Sequence, residues 1–289
     1  RTVSTIGEDA FRQEYEAEFL GSTNTLISTE RLQEMSYNEP LFSREGLDVH
    51  EEPVDGHTYT ITVDVARGQG QDYSAFSVFD ITEIPYKIVA KYRNNTVAPL
   101  HFPNIINTVG KRYNYAYILV EINDIGSQVA DVLHHDLEYE HLYSTSWYGR
   151  HGQQLSSGAK RESAFGVRTT KTMKKLGCSN LKSLIEENKL LFNDYDIITE
   201  LTTFIAIGES FSGEEGTNDD LVITLVLFAW LVDQQYFKDL SNQNIRDNLY
   251  QNQMNQLEDL TTPFGVIDNG LNKKEYEIDS DGTVWETIN

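Results

Sequence analysis

Two carboxylates stand where the core of a strand would ordinarily place an apolar side chain. Asp64 falls inside Ile61-Thr62-Val63-Asp64-Val65, and Glu121 ends the apolar run Ile118-Leu119-Val120-Glu121-Ile122. Burying a carboxylate is costly unless it is paired or ligates a metal, so each position calls for a partner. A third acidic point is Asp219-Asp220, at the first turn of the apolar stretch Leu221 to Val232. A helix dipole favours negative charge there by only about 0.3 to 1 kcal/mol. If the three points converge, they make an all-oxygen pocket suited to Mg2+ or Mn2+ and not to zinc. Two such ions roughly 4 Å apart can activate a water and stabilise the leaving 3'-oxygen of a phosphodiester, with no nucleophilic side chain required. That matches the lack of a candidate Ser-His-Asp or Cys-His set. Taken singly, each acid has a plainer explanation: a strand-end turn for Asp64, a lysine partner for Glu121, a helix-capping role for Asp219.

The elements that must position these acids can be read from periodicity. Thr58 to Val65 alternates Tyr59, Ile61, Val63 and Val65 with threonines and one aspartate, a strand pattern. Ser74 to Ile81 and Tyr86 to Tyr92 repeat it after short turns, which predicts an antiparallel meander. Pro99 to Tyr113 reads as a helix, Tyr115 to Ile122 as a strand buried on both faces, and Gly126 to Leu137 as a second helix. Leu181 to Glu187 reads as a helix, Lys189 to Phe192 as a short strand, and Ile197 to Ile207 as a helix or extended piece. Asn218 is expected to cap a helix from Asp219 to about Gln234. On that helix Asp219 and Asp220 would point about 100° apart, so that one of them faces the pocket. The expected class is α/β, a mixed sheet with helices on both faces.

Three parts are expected. Residues 1–55 form a helical and loop-rich lead-in, with Phe11, Tyr15 and Phe19 on one stripe of a helix from Asp9 to Leu20. Residues 56–240, after the acidic turn Glu51-Glu52-Pro53-Val54-Asp55-Gly56, form the catalytic domain, and 241–289 form a polar tail. The opening stretch has neither a signal core nor a cleavage pattern, and we read the chain as a fragment of a longer protein. No apolar run reaches the length of a membrane span. The single cysteine, Cys178, excludes an internal disulfide framework and a cysteine-based zinc site, fits a reducing cytoplasm, and reads as a small buried filler.

The formal charge of -22 at first argues against a nucleic-acid partner. The charge is uneven, however. Lys160, Arg161, Arg168, Lys171, Lys174, Lys175 and Lys182 face only one acid, Glu162, within their segment. A solvated basic loop is the plainer reading; a small basic subdomain or insertion lining a groove to the acidic pocket is the functional one. Lysines and arginines there would contact phosphates without reading sequence.

Taken together, strand-Asp, two strands, helix, strand-Glu and a later helix opening with Asp resembles the layout of the RNase H-like nucleases. The resemblance is closer still to the large terminases of tailed phages, of the T-even type. Val63-Asp64-Val65-Ala66-Arg67-Gly68-Gln69-Gly70-Gln71-Asp72-Tyr73-Ser74-Ala75 resembles their first nuclease motif. Leu119-Val120-Glu121-Ile122-Asn123 resembles the second, and Gly216-Thr217-Asn218-Asp219-Asp220-Leu221-Val222 the last. Phe11 to Ser22 resembles the segment that follows the motor domain, so the likeness covers most of residues 5–235. It implies an RNase H-like, resolvase-type fold, and an endonuclease cutting concatemeric double-stranded DNA at initiation and headful termination. Asp64, Glu121, Asp219 and Asp220 would be catalytic and would hold one or two ions. Gly68, Gly70 and Asp72 would form a supporting loop, the glycines allowing close approach to DNA or metal. No Gly-x-x-x-x-Gly-Lys-Ser/Thr sequence occurs, so no ATP site is expected here. The family implies an N-terminal ATPase domain in the same protein, a portal ring, a small terminase subunit, and a place in the host cytoplasm at the portal vertex. Two rivals stay open: a structure-specific resolvase-like nuclease, and a non-catalytic module that grips DNA and docks on the portal.

Overall fold

The computed structural model describes residues 24–67, 72–148, 152–156, 163–208 and 210–239, with the backbone of 276–278 and 284–286. The expected helix from Asp9 to Leu20 lies outside them.

Among the described residues the central sheet has seven strands. β1 (Phe42–Arg44) and β2 (Leu47–Val49) form a hairpin, and β2 pairs antiparallel with β5 (Tyr86–Asn94). β5 continues through β4 (Ser74–Asp80) to β3 (Tyr59–Asp64), the predicted meander. β6 (Tyr117–Val120) then returns parallel to β3 on its far side. A small sheet in the order β8-β7-β9 is built from β7 (Ser144–Trp147), β8 (Gln153–Ser156) and β9 (Ala164–Phe165). The seventh main strand, β10 (Leu190–Leu191), pairs parallel with β5. Residues 42–49 thus join the sheet from ahead of the turn at 51–56, where the start of the domain was expected. They are too short and polar to announce themselves as strands.

Helices cover both faces. Against one lie α2 (Phe102–Arg112) and α3 (Gly126–Asp131), which continues as a π-turn over Val132–Asp136. They bury Ile61, Val63, Phe76, Val78, Ile118 and Val120 with Phe102, Ile106 and Leu133. Against the other lie α4 (Lys171–Glu186), α5 (Tyr195–Thr203) and α6 (Asp220–Asp233). Ala75, Phe79 and Leu119 pack there with Leu181, Leu201, Leu225 and Phe228. A short α1 (Thr29–Gln33), capped by Ser28, adds Leu32 to this side. The alternation in β3 therefore sorts side chains between two buried faces, and its threonines do not meet water. Thr62 donates to the Thr224 carbonyl at 2.7 Å, and the Ser77 and Thr224 hydroxyls lie 2.6 Å apart. Hydrogen bonding is what lets such polar groups be buried without loss.

α6 is apolar all round because it is enclosed all round, by the sheet below and α4 and α5 beside it. Gly177 of α4 makes the contact possible, since a Cβ there would lie 2.6 Å from the Val226 carbonyl oxygen. Cys178 is buried in the same helix, as expected. α4 begins at Lys171, ten residues before the helix expected from Leu181. Its N-terminus is set by Thr170, whose side chain accepts from the Met173 N–H; the run of lysines had masked its apolar stripe of Met173, Leu181, Leu184 and Ile185. The stretch expected as helix or extended is both: α5 followed by β11 (Phe204–Ile207), which pairs with β12 (Ser210–Gly213). Separately, in the compact unit of residues 246–289, β13 (Tyr276–Ile278) and β14 (Val284–Glu286) pair antiparallel.

Candidate active site

The site is set up by the register of two parallel strands. Val63 lies opposite Val120, and the Glu121 N–H donates to the Val63 carbonyl at 2.9 Å, so Asp64 and Glu121 leave adjacent strands at the same end. The far edge of β6 is closed by the chain running into α4: the Ile122 N–H donates to the Val167 carbonyl at 2.9 Å. Asn123 fixes the Glu121 side chain. Its Nδ2 donates to Glu121 Oε1 at 3.0 Å and to the Thr169 carbonyl at 3.1 Å.

α6 brings the remaining acids over these strand ends, its height fixed by the contacts of Thr62 and Ser77 with Thr224. Asp220, 8% exposed, accepts from the Tyr73 N–H through Oδ1 at 3.2 Å. Asp219 Oδ2 accepts from the Gly213 N–H at 3.2 Å and faces Lys174 Nζ at 3.9 Å. The structure thus brings Glu121, Asp219 and Asp220 within electrostatic reach of Asp64. Burial, and then the charge of Glu121 and a hydrogen bond with it, push Asp64 well above the usual carboxylate range, with Asp220 and Asp219 adding to the shift. Asp220 is raised to about 6, chiefly by burial and against the pull of the Tyr73 N–H. Carboxylates packed this way gain from any neutralising cation, and an oxygen-only set fits a hard divalent ion. Several of their oxygens are committed to N–H donors, and among the described residues no three acidic, imidazole or thiolate groups stand at metal-ligand spacing.

The start of α6 differs from expectation. Asp219, not Asn218, occupies the capping position and makes no side-chain cap hydrogen bond, so the 100° helical separation from Asp220 does not apply. The cap comes instead from Glu200 of α5, which sequence reading missed. Its Oε2 accepts from the N–H groups of Leu221 at 2.8 Å and Val222 at 3.1 Å. Oε1 pairs with Arg93 Nη2 at 3.4 Å, and the Arg93 guanidinium sits 4.1 Å over the Tyr73 ring. Burial raises Glu200 to about 7, against the opposing pull of Arg93 and the two N–H groups. Its only sequence signal was an acid in an otherwise apolar helical turn, Ile197-Ile198-Thr199-Glu200-Leu201.

Of the predicted supporting loop, Asp72 is an exposed bend residue, while Gly68 and Gly70 lie outside the described residues. Of the predicted basic set, Lys160 and Arg161 also lie outside them. Arg168, Lys171 and Lys175 are exposed, and Lys174 reaches the acidic centre.

An antiparallel meander, a parallel return strand beside it, and acids at the two strand ends and at the start of the covering helix define an RNase H-like nuclease domain. The model of one family, the Terminase RNaseH-like domain, matches residues 61–229. The chain belongs to that family, and so is a terminase large-subunit nuclease domain, a component of the DNA-packaging motor of phages. Solved structures agree in fold. The large terminase nuclease from thermophilic phage G20c with bound magnesium is 21% identical, with a TM-score of 0.55 over 72% of this chain and 97% of that one. The same protein with bound cobalt gives 23% identity and a TM-score of 0.54 over the same shares. The Thermus phage P74-26 large terminase nuclease domain gives 20% and 0.52 over 72% and 95%.

Proposed function

We propose that the chain is a metal-dependent DNA endonuclease that cuts concatemeric DNA at initiation and headful termination of packaging, with little sequence preference. The observation that carries this reading is the placement of Asp64 and Glu121 at the adjacent ends of β3 and β6, with Asp219 and Asp220 at the start of α6 above them. Asp64, Glu121, Asp219 and Asp220 would hold Mg2+ or Mn2+, one or two ions, and the related G20c nuclease with bound magnesium supports a divalent ion here. Bound there, the metal supplies an activated water and charge stabilisation for the leaving oxygen. The residues themselves do the rest: Asn123 holds the Glu121 carboxylate, Tyr73 holds that of Asp220, and the Thr62 and Ser77 contacts keep α6 in register over the strand ends. Arg168, Lys171, Lys174 and Lys175, with Lys160 and Arg161, would grip phosphates beside the site, and Gly68, Gly70 and Asp72 would support it. Residues 1–55 would lead in from an ATPase domain of the same protein, with 56–240 as the nuclease and 241–289 as a tail. The portal ring and small terminase subunit would be partners, in the host cytoplasm at the portal vertex.

The test is nicking of supercoiled plasmid by the purified chain. Cutting with Mg2+ or Mn2+, abolished by a chelator and by Asp64→Asn, is expected. DNA binding without metal-dependent cutting would favour the gripping and docking module instead.

A further inference from the structure

The loops that leave the two site-bearing strands are tied together by an ion pair with no part in the reading above. Arg67 stands three residues after Asp64, and Asp124 three after Glu121. Because β3 and β6 are parallel neighbours, the two emerge side by side at the rim of the site. Arg67 Nε donates to Asp124 Oδ2 at 2.6 Å and Nη2 to Oδ1 at 2.8 Å, a two-point pair. Both side chains are open to solvent, at 62% and 57% exposure.

A DNA backbone that approaches Asp64 and Glu121 meets four carboxylates, and Arg67 is the sole cation on the chain between β3 and β4 or between β6 and α3. A guanidinium grips a phosphate with the same fork it offers a carboxylate. A pair this exposed is held weakly in water, so a phosphate already anchored along a duplex can displace the carboxylate easily.

We propose that Arg67 contacts a backbone phosphate of the DNA entering the site, and that Asp124 is its internal substitute for that phosphate. In the free protein Asp124 keeps the guanidinium aimed at the rim and weakens DNA binding; the phosphate takes its place. The proposal rests on the nuclease reading and adds to it a residue and a restraint on binding.

The two members of a structural tie fail together, whereas a phosphate contact and its competitor fail in opposite directions. Binding of a fluorescein-labelled duplex of mixed sequence is to be measured by anisotropy, in chelator, for the wild type, Arg67→Gln, Asp124→Asn and the double variant. Arg67→Gln is expected to weaken binding and to lower the slope of log K against log salt by about one. Asp124→Asn is expected to tighten binding up to about fivefold, because the exposed ion pair no longer has to be broken before Arg67 meets the phosphate. The double variant should follow Arg67→Gln. Weaker binding by Asp124→Asn, or no change in either single variant, overturns the proposal while leaving the nuclease reading in place. No binding by the wild type overturns the proposal, while the nuclease reading stands or falls separately on metal-dependent plasmid nicking.

Discussion

The Glu200 carboxylate accepts the backbone N–H groups of Leu221 and Val222, so the helix that carries Asp219 and Asp220 is capped by a side chain from another helix. Through Arg93 the same carboxylate reaches Tyr73, whose N–H holds Asp220. The circuit fixes one candidate ligand from two sides.

Removing Glu200 should therefore damage both fold and site. Glu200→Ala leaves the half-buried Arg93 guanidinium without its carboxylate and two buried helix N–H groups without an acceptor, a loss of about 3 kcal/mol. Glu200→Gln keeps one carbonyl acceptor for the helix and should recover part of that stability. Thermal melting of the two variants, with plasmid nicking alongside, measures both effects; equal stability of wild type and Glu200→Ala would contradict the capping role.

Gly126 is required by close packing behind Glu121. A Cβ at Gly126 would lie 1.8 Å from the Glu121 carbonyl oxygen, a distance no backbone tolerates. Gly126→Ala must push β6 and its acid away from Asp64. Cleavage should fall by about 100-fold, as a displacement near 1 Å can cost. Alanine at Gly56, which has open space around it but φ +79°, should leave cleavage intact and cost roughly 1 to 2 kcal/mol of stability.

A second cluster of charges, away from the site, predicts a pH dependence of stability. Lys91, 2% exposed, pairs with Asp194 at 3.2 Å, with Asp48 at 3.3 Å and with Asp196, while His50 Nε2 lies 2.9 Å from Asp194. Burial alone would raise Asp194, but the His50 hydrogen bond and the Lys91 charge outweigh it and hold the carboxyl below the ordinary range. A carboxylate depressed on folding stabilises the folded state above its unfolded value of about 3.9, and that stability is lost as pH falls through the folded value. Acid unfolding of the wild type should therefore be steeper below about pH 4 than that of Asp194→Asn. Parallel acid-unfolding curves would contradict this.

The acids were legible in the sequence because each breaks a pattern. Asp64 and Glu121 interrupt apolar strands, and Asp219-Asp220 opens an apolar helix, so their type and order carried both the fold class and the expected site. The meander and the return strand were legible for the same reason, since period-two alternation survives burial on both faces when threonines bond to the covering helix. What was not legible came from distant pairing. Glu200 looked like one more acid in a short helix, and only the fold brings it to the α6 N–H groups 21 residues on. The N-terminal half of α4 was hidden by lysines that cover its apolar stripe. The β1–β2 hairpin was hidden because an edge pair of three-residue strands has no room for a repeating pattern.

The central claim, that Asp64, Glu121 and the α6 acids hold the catalytic cation, is tested most directly by calorimetric titration of Mn2+ into the wild type and into Asp64→Asn, Glu121→Gln, Asp219→Asn and Asp220→Asn. Binding by the wild type is expected, with its loss in the Asp64 and Glu121 variants and a marked weakening in at least one of the other two, and with folded thermal transitions throughout. Undiminished Mn2+ binding by Asp64→Asn and Glu121→Gln would contradict it.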